Sequence, residues 1–273
     1  MPELPEVEVV RQGLAPLLGN RLVTGFSSSN KKLRQPVPRS AFNLLVKGIR
    51  VRAVGRRAKY LLIHMENRAV VVFHLGMTGR LGLFPRAAPR LKHDHIRLQL
   101  DNDMELRFND SRRFGSVQVI SPGTEVGDLF ARIGPEPFAE DFSAKYLFAK
   151  AKNRHQPVKN FLMDSRVVAG IGNIYASEIL FRAGIRPAKP AGKLIRRQWK
   201  NIITCCRDVL QEAINAGGTT IADYVNASGK AGYFQLKLMV YGRDNEDCRK
   251  CGTSITRVVQ AGRATYFCKK CQK

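Results

Sequence analysis

Four cysteines near the C-terminus have the type and spacing of a metal site. They form two Cys-x-x-Cys pairs, and each pair lets one tight turn present two sulfurs to a tetrahedral ion. Sixteen residues separate the pairs, within the range of paired zinc knuckles. Two disulfides in a secreted protein or a redox pair are the alternatives, but the acidic first residues are unlike a secretory signal. The sequence therefore predicts one structural Zn2+ held by Cys248, Cys251, Cys268 and Cys271.

The first residues, MPELPEVEVV, place a proline second and a carboxylate third. From Pro5 the pattern predicts a helix that ends at Gly19, because Pro5 suits a first helical turn and Glu6 and Glu8 suit its positive end. A helix start does not explain residues 1–3, which would otherwise be a frayed end.

The turn Gly170-Ile171-Gly172-Asn173 is a candidate phosphate site. It lies between two predicted helices, where glycines allow close backbone approach and a helix N-terminus offers free N–H groups. Turns between helices often contain glycine, so the motif alone is weak. In a basic chain with a zinc hairpin it favours a clamp on a DNA backbone.

Two kinds of secondary structure have to position these residues. Residues 21–121 are predicted mainly as strands, including a hairpin around the turn at 101–103, and residues 121–142 are the best linker candidate. Helices are predicted with a cap at Ser143, from Pro157 to Met163, over 169–184 and over 192–216. The last has an apolar stripe of Ile195, Trp199, Ile202, Cys206, Val209 and Ala213. Cys205 and Cys206 are predicted to be buried structural residues.

Composition indicates a polyanionic partner. The 273 residues include 46 Lys+Arg against 22 Asp+Glu, which gives a net charge of +24. Such an excess favours nucleic acid or an anionic membrane surface. No apolar run approaches the roughly 18 residues of a spanning helix, so we expect no membrane partner. The expectation is a cytoplasmic protein that binds nucleic acid.

Six motifs, found in a fixed order along the chain, are together specific enough to indicate a protein family. They are PELPEVE at 2–8, GRRAKYL at 55–61, HLGMTGR at 74–80, DSRRFG at 110–115, VVAGIGNIYASEILFRAGI at 167–185 and the tail CRKCG…GRATYFCKKC. Through them the chain resembles the bacterial formamidopyrimidine-DNA glycosylase family from end to end. It departs from the family at Ser111, where a proline often precedes the two arginines. The loop over 217–240 varies widely within the family.

The resemblance implies an α+β fold with two domains. The first is an N-terminal β-sandwich with an N-terminal helix. The second is a helical domain with a helix–two-turn–helix motif and a zinc-finger β-hairpin. The expected bounds are 1–130 for the catalytic domain, 131–220 for the helical DNA-binding domain, 221–240 for a mobile lesion-recognition loop and 241–273 for the zinc hairpin. The implied partner is damaged double-stranded DNA, bound by a monomer in the bacterial cytoplasm.

The resemblance also gives the first residues a role. A small second residue permits removal of the initiator Met, which leaves Pro2 with a free secondary amine. Such α-amines titrate near neutrality, and a helix N-terminus disfavours their charged form. The family implies that Pro2 attacks C1′ of the damaged nucleotide to form an iminium, while Glu3 protonates the ring oxygen. Glu6 is expected to order the helix start.

The family assigns further roles by motif position. Lys59 would contact phosphate beside the lesion and assist β-elimination, or else be a solvated strand-end lysine. Arg263, at the tip of the zinc hairpin, would bind phosphate and assist δ-elimination. Further DNA contacts are implied for His93, Arg154, Lys159, Asn173 and Tyr241. An exposed loop histidine is the alternative for His93.

Extruding a base from a duplex leaves a space that side chains have to fill. Met77, Arg112 and Phe114 match the residues that fill it in the family. Met is adaptable, Phe can wedge between base pairs, and Arg has donors for the orphaned base. By residue type alone Met77 and Phe114 would be core residues. The resemblance favours exposure at loop tips.

The resemblance, with these residues, implies a bifunctional DNA glycosylase/AP lyase for oxidised purines, chiefly 8-oxoguanine opposite cytosine and formamidopyrimidines. The product would be a one-nucleotide gap with phosphates at both ends. One alternative is the related endonuclease VIII group, which prefers oxidised pyrimidines. Another is a non-catalytic zinc-hairpin protein that binds damaged DNA or ribosomes. PELPEVE and the Arg112–Phe114 pair favour the first interpretation, and a free Pro2 would separate an enzyme from a binding protein.

Overall fold

The computed structural model describes residues 2–217 and 238–273, in two compact units. Among the described residues, the first unit comprises residues 2–131 with residues 216 and 217, and the second comprises Arg132–Asn215 and residues 238–273. The helices of the first unit are α1 (Leu4–Leu18), α2 (Arg39–Leu45) and α3 (Val126–Phe130). Its strands are β1 (Val23–Ser28), β2 (Val51–Arg57), β3 (Tyr60–Met65), β4 (Val70–His74), β5 (Arg80–Pro85), β6 (Asp94–Leu100), β7 (Met104–Asn109) and β8 (Ser116–Ile120).

The strands of the first unit form two antiparallel four-stranded sheets. Their orders are β1-β6-β7-β5 and β2-β3-β4-β8. Both sheets contribute to one apolar core, in which the rings of Phe73 on β4 and Phe108 on β7 lie 5.6 Å apart. The predicted hairpin is confirmed, since Leu98 pairs with Leu106 across the turn between β6 and β7. The expected β-sandwich with an N-terminal helix is therefore present.

The segment predicted as a linker, residues 121–142, is not without secondary structure. It contains α3, and Phe130 at the end of that helix is buried against the ring of Tyr60, with ring centroids 5.4 Å apart. Phe142, the last residue of the segment, is fully buried in the second unit. The middle and the C-terminal end of this Gly- and Pro-rich stretch are thus anchored by aromatic side chains.

The second unit contains four helices among its described residues. They are α4 (Ala144–Ala151), α5 (Val158–Met163), α6 (Asn173–Arg182) and α7 (Arg196–Asn215). Ser143 caps α4 as predicted, since its hydroxyl accepts from the Tyr146 amide at 3.2 Å. Cys205 and Cys206 are buried, also as predicted, and burial raises the pKa of the Cys206 thiol.

The predicted start of the long last helix was wrong. Residues Ala191–Lys193 form a 3-10 turn, and α7 begins only at Arg196. The physical reason is that the Gly192 amide donates to the Arg154 carbonyl at 2.9 Å instead of continuing a helix. Ile195, predicted on the buried stripe, is consequently 55% exposed.

The C-terminal segment forms a two-stranded hairpin of β9 (Ile255–Gln260) and β10 (Arg263–Cys268). Its apolar core is small and consists of Phe181, Val240, Cys248, Ile255 and Cys268 with a few half-buried neighbours. Most of the loop predicted over 221–240 lies outside the described residues.

Candidate functional site

The start of α1 holds the predicted amine and acid side by side. Glu3 is 2% exposed and occupies the N-cap position of the helix, directly after half-buried Pro2. The Glu3 amide donates to Glu6 Oε2 at 2.8 Å, and the Glu3 side chain accepts from the Glu6 amide. This capping box fixes the Glu3 carboxylate at the helix start. Glu6 thus orders the helix start, as expected.

Lys59 lies in the turn between β2 and β3, and the turn is tied to α1. Glu8 of α1 accepts from Arg56 Nε at 2.9 Å, and Arg56 Nη1 donates to the carbonyl of Ala58 at 3.0 Å. Burial acts to raise the pKa of Glu8, but Arg11 and Arg56 outweigh it and hold that pKa below its ordinary value. The ionised Glu8 therefore positions the residue that precedes Lys59. Sequence reasoning missed this pair, although Arg56 stands in the GRRAKYL motif.

His74, at the end of β4, links the Lys59 turn to the loop that carries Met77. Its ring packs 4.9 Å from that of Tyr60, the cross-strand partner next to Lys59. Its Nδ1 accepts from the Gly76 amide at 3.1 Å. Burial, reinforced by the charges of Lys59 and Arg34, lowers the pKa of His74 to about 4. The imidazole is therefore neutral at physiological pH, and its acceptor nitrogen is retained.

The three residues predicted to fill the space of an extruded base are all exposed. Met77 is 41% and Phe114 46% exposed, as expected for loop tips, and Arg112 is exposed beside them. The Arg112 guanidinium lies over the Phe114 ring, 4.8 Å from its centroid. An arginine stacked on an exposed phenylalanine presents donors and a flat apolar surface together.

His93 is half-buried in the turn before β6, so the alternative of an exposed loop histidine is not what the structure has. Its carbonyl accepts from the Asp110 amide at 3.1 Å, and its ring lies 6.4 Å from that of His95. Its backbone is therefore tied to the DSRRFG segment at Asp110.

In the second unit, Lys159 is placed differently from a phosphate-binding lysine. It is 1% exposed, and its Nζ donates to Asn173 Oδ1 at 2.6 Å, the Ala264 carbonyl at 3.0 Å and Thr265 Oγ1 at 2.7 Å. An ammonium has three donors, and all three are used inside the protein. The Lys159 ammonium thus holds the hairpin strand β10 against α6, and the predicted contact of Lys159 with DNA stays a prediction.

Asn173 starts α6 and shares this connection. Its Nδ2 donates to the same Ala264 carbonyl at 3.0 Å, while its Oδ1 accepts from Lys159. Arg263, the next residue toward the tip, is exposed and directly follows Ala261 and Gly262, both with positive φ. The tight turn thus presents Arg263 at the tip of the hairpin, beside the anchored strand.

The other two predicted contacts lie elsewhere in the second unit. Arg154 is exposed between α4 and α5. Tyr241 is half-buried, and its ring packs edge-on against that of Tyr266, with the ring centroids 5.1 Å apart. Its amide is bound by Glu178 of α6, whose carboxylate also accepts the amides of Met239 and Val240, all at 2.8–2.9 Å. Sequence reasoning missed Glu178, since a glutamate in a helix usually indicates an exposed face.

The four C-terminal cysteines converge on one point. Their sulfurs all lie within 4.8 Å of one another, with Cys248 3.9 Å from Cys271 and Cys251 3.5 Å from Cys268. A tetrahedral ion with Zn–S bonds of about 2.3 Å places its sulfurs about 3.8 Å apart, so the arrangement fits zinc. Hydrogen bonding from Thr253 also lowers the pKa of Cys251 to about 6, which favours the thiolate that a metal needs. The site is that of one structural zinc ion.

Family models match most of the chain. The formamidopyrimidine-DNA glycosylase N-terminal domain matches residues 1–117, and the formamidopyrimidine-DNA glycosylase H2TH domain matches residues 133–225. The zinc finger found in FPG and IleRS matches residues 245–273. Across residues 2–217 and 238–273, no helix combines the length and apolar character needed to cross a membrane.

Full-length relatives and solved structures agree with these matches. The formamidopyrimidine-DNA glycosylase of Legionella pneumophila strain Philadelphia 1 is 44% identical over 272 residues, covering 100% of this chain and 98% of the relative. That of Stenotrophomonas maltophilia strain R551-3 is 45% identical over 100% of both chains. A mutant of the Lactococcus lactis FPG protein, solved with DNA containing Fapy-dG, has a TM-score of 0.90 at 33% identity over 100% of both chains. MutM in complex with DNA containing carbocyclic 8-oxo-G has a TM-score of 0.89 at 34% identity over 100% of both chains.

Proposed function

Because this chain belongs to the formamidopyrimidine-DNA glycosylase family of DNA repair enzymes, we propose that it excises oxidised purines and then cleaves the strand as an AP lyase. Its substrates are formamidopyrimidines and 8-oxoguanine opposite cytosine in double-stranded DNA, on which it acts as a monomer. Two of the solved relatives are bound to DNA containing Fapy-dG and carbocyclic 8-oxo-G, which supports this substrate class.

The chemistry begins at Pro2 once Met1 is removed. The uncharged secondary amine attacks C1′ while Glu3 gives a proton to the ring oxygen, so the base leaves and the sugar opens to an iminium. Loss of protons from the opened sugar then expels the 3′ and 5′ phosphates in turn, with Lys59 and Arg263 assisting. The observation that carries the proposal is Glu3, buried and fixed by the capping box directly beside Pro2.

DNA recognition uses both units. Met77, Arg112 and Phe114 fill the space of the extruded base, since all three are exposed. Exposed Arg263 and Arg154 bind phosphates, and the N-terminus of α6 at Asn173 adds backbone donors. The zinc ion is structural.

Borohydride trapping on a duplex with 8-oxoguanine opposite cytosine tests the mechanism. The adduct should map to a peptide that begins at Pro2. A matched protein that retains Met1 should give neither trapping nor cleavage, yet bind the lesion. Cleavage at normal rate by the blocked protein, or an adduct on Lys59, would contradict the mechanism. Equal action on oxidised pyrimidines would instead favour the endonuclease VIII type of specificity.

A further inference from the structure

We infer that Asp110, acting through Thr78, is a positioning residue that holds Met77, Arg112 and Phe114 in one arrangement. The inference rests on the proposed function, in which those three side chains fill the space left by the extruded base. Asp110 is completely buried, and it opens the loop between β7 and β8 that contains Arg112 and Phe114.

The Asp110 carboxylate joins two separate loops. Its Oδ1 accepts from the Thr78 hydroxyl at 2.5 Å, and its Oδ2 accepts from the Gly115 amide at 2.8 Å. Thr78 Oγ1 in turn accepts from the Arg112 amide at 3.2 Å. One carboxylate and one hydroxyl thus link the residue after Met77, the residue after Phe114 and the backbone of Arg112. Hydrogen bonds to an ionised acceptor are about twice as strong as neutral ones.

Asp110 is itself held on both sides of its backbone. Its amide donates to the His93 carbonyl at 3.1 Å, and its carbonyl accepts from His95 Nε2 at 3.0 Å. A carbonyl can only accept, so Nε2 carries the proton and Nδ1 accepts from the Ser29 hydroxyl at 2.8 Å. Burial lowers the pKa of His95, which keeps this neutral tautomer at physiological pH. The backbone that carries the Asp110 carboxylate is therefore held in place.

The two loops also touch directly, which leaves them little freedom to slide. Gly76 has a φ of +65°, and a Cβ built there would lie 2.4 Å from the Gly115 nitrogen and 2.5 Å from the Phe114 carbonyl carbon. Only glycine allows this approach. Met77 is thus placed relative to Phe114 by a backbone contact and by the Asp110–Thr78 connection together.

This arrangement explains how exposed side chains can act as one unit. Exposed loop residues would otherwise be mobile, and ordering them on DNA would cost conformational entropy. Misplacement by about 1 Å can slow a reaction on the order of 100-fold. The hydrogen bonds of Asp110 and Thr78 are directional, so they select one relative placement of the two loops before DNA binds.

The test compares Thr78→Val, which removes the hydroxyl at nearly constant volume, with Thr78→Ser, which keeps it. Single-turnover excision of 8-oxoguanine opposite cytosine and opposite adenine is measured beside cleavage of a preformed abasic site. We expect Thr78→Val to slow excision about 10-fold and to reduce the cytosine preference, with abasic-site cleavage nearly unchanged. Thr78→Ser should behave as wild type. Asp110→Asn, which cannot accept equally from both loops, should act in the same direction if Thr78→Val folds poorly.

Several outcomes would overturn the inference. One is a normal excision rate and a normal cytosine preference in both Thr78→Val and Asp110→Asn. Another is a loss of excision in Thr78→Ser as large as that in Thr78→Val. The third is a fall in abasic-site cleavage as large as the fall in excision, which would show a merely structural role. Arg112→Ala separates the positioning role from the role of the exposed side chains. If Arg112→Ala is impaired and Thr78→Val is normal, only the positioning role fails. If Arg112→Ala keeps full rate and preference, the proposed role of the exposed side chains fails as well.

Discussion

The two units hold their candidate residues by different means. In the first unit, Pro2, Glu3 and Lys59 lie at the ends of elements whose apolar faces form one large core of two sheets and α1. In the second unit, Arg263 stands on a hairpin with a small core, bound by the Lys159 ammonium and by a zinc site. In the first unit a large apolar core supports the site, and polar groups only adjust the positions of its residues. In the second unit polar groups and a metal ion provide most of the support.

The two sites are therefore vulnerable to different kinds of change. Burial of apolar surface is distributed over many side chains, so a single change in the first unit removes only part of it. A metal site and a saturated buried lysine concentrate stability in a few atoms. We expect single changes to have larger and more local effects in the second unit.

Loss of zinc should have the largest effect. Structural zinc supplies on the order of 10 kcal/mol of folding free energy in small zinc modules, and this hairpin has little core to replace it. Cys248→Ser should therefore lower zinc content and duplex affinity together, the latter by about 100-fold as phosphate contacts are lost. Amide exchange in residues 2–131 should stay unchanged. Cys205→Ser, outside the metal cluster, is the control, and full DNA binding without zinc would contradict the prediction.

Lys159→Met should have the next largest effect. It keeps the apolar stem but leaves Asn173 Oδ1, the Ala264 carbonyl and Thr265 Oγ1 without their shared donor. A buried acceptor that loses its donor costs about 1–3 kcal/mol, so the free energy of unfolding of the second unit should fall by about 3 kcal/mol. Trp199, the only tryptophan, reports it by fluorescence during urea unfolding.

The control for Lys159→Met is Lys145→Met on α4, which removes the same charge from an exposed position. Equal changes in stability and DNA affinity for the two variants would show that Lys159 acts only through net charge.

The smallest effect should come from pH in the first unit. The folded pKa of His74, about 4, lies below the ordinary 6.5, so between these values the unfolded chain binds more protons. The contribution of neutral His74 to stability is complete above pH 6.5 and is lost as pH falls toward 4, and the loss is about 2 kcal/mol at pH 5. His74→Asn offers an acceptor oxygen without titration. The pH dependence of unfolding should therefore be shallower in this variant.

His64 and His95, whose pKa values burial also lowers, are present in both proteins and cancel in the comparison with His74→Asn. Hydrogen exchange of residues 2–131 between pH 5 and 8 measures the difference. Parallel profiles for wild type and variant would rule out His74 as the titrating group.

Local patterns in the sequence were enough to predict many features of this structure. The cysteine spacing located the metal site, alternation around 101–103 located a hairpin, and Ser143 located a helix cap, because each depends on neighbours in the chain. The contacts that were missed join residues far apart, such as Lys159 with Thr265 or Thr78 with Asp110. Such pairs leave no periodic pattern, and a lysine or aspartate in a basic chain is by default assigned to the surface.

The contacts of helix α6 also restrict insertions and deletions within this helix. Asn173 in its first turn binds the Ala264 carbonyl, and Glu178 binds the amides of 239–241. Inserting one residue between them would rotate Glu178 by about 100° around the helix axis and move it about 1.5 Å along it. All three hydrogen bonds from these amides to Glu178 would then be lost. Insertions and deletions between Asn173 and Glu178 are therefore incompatible with the contacts that α6 makes.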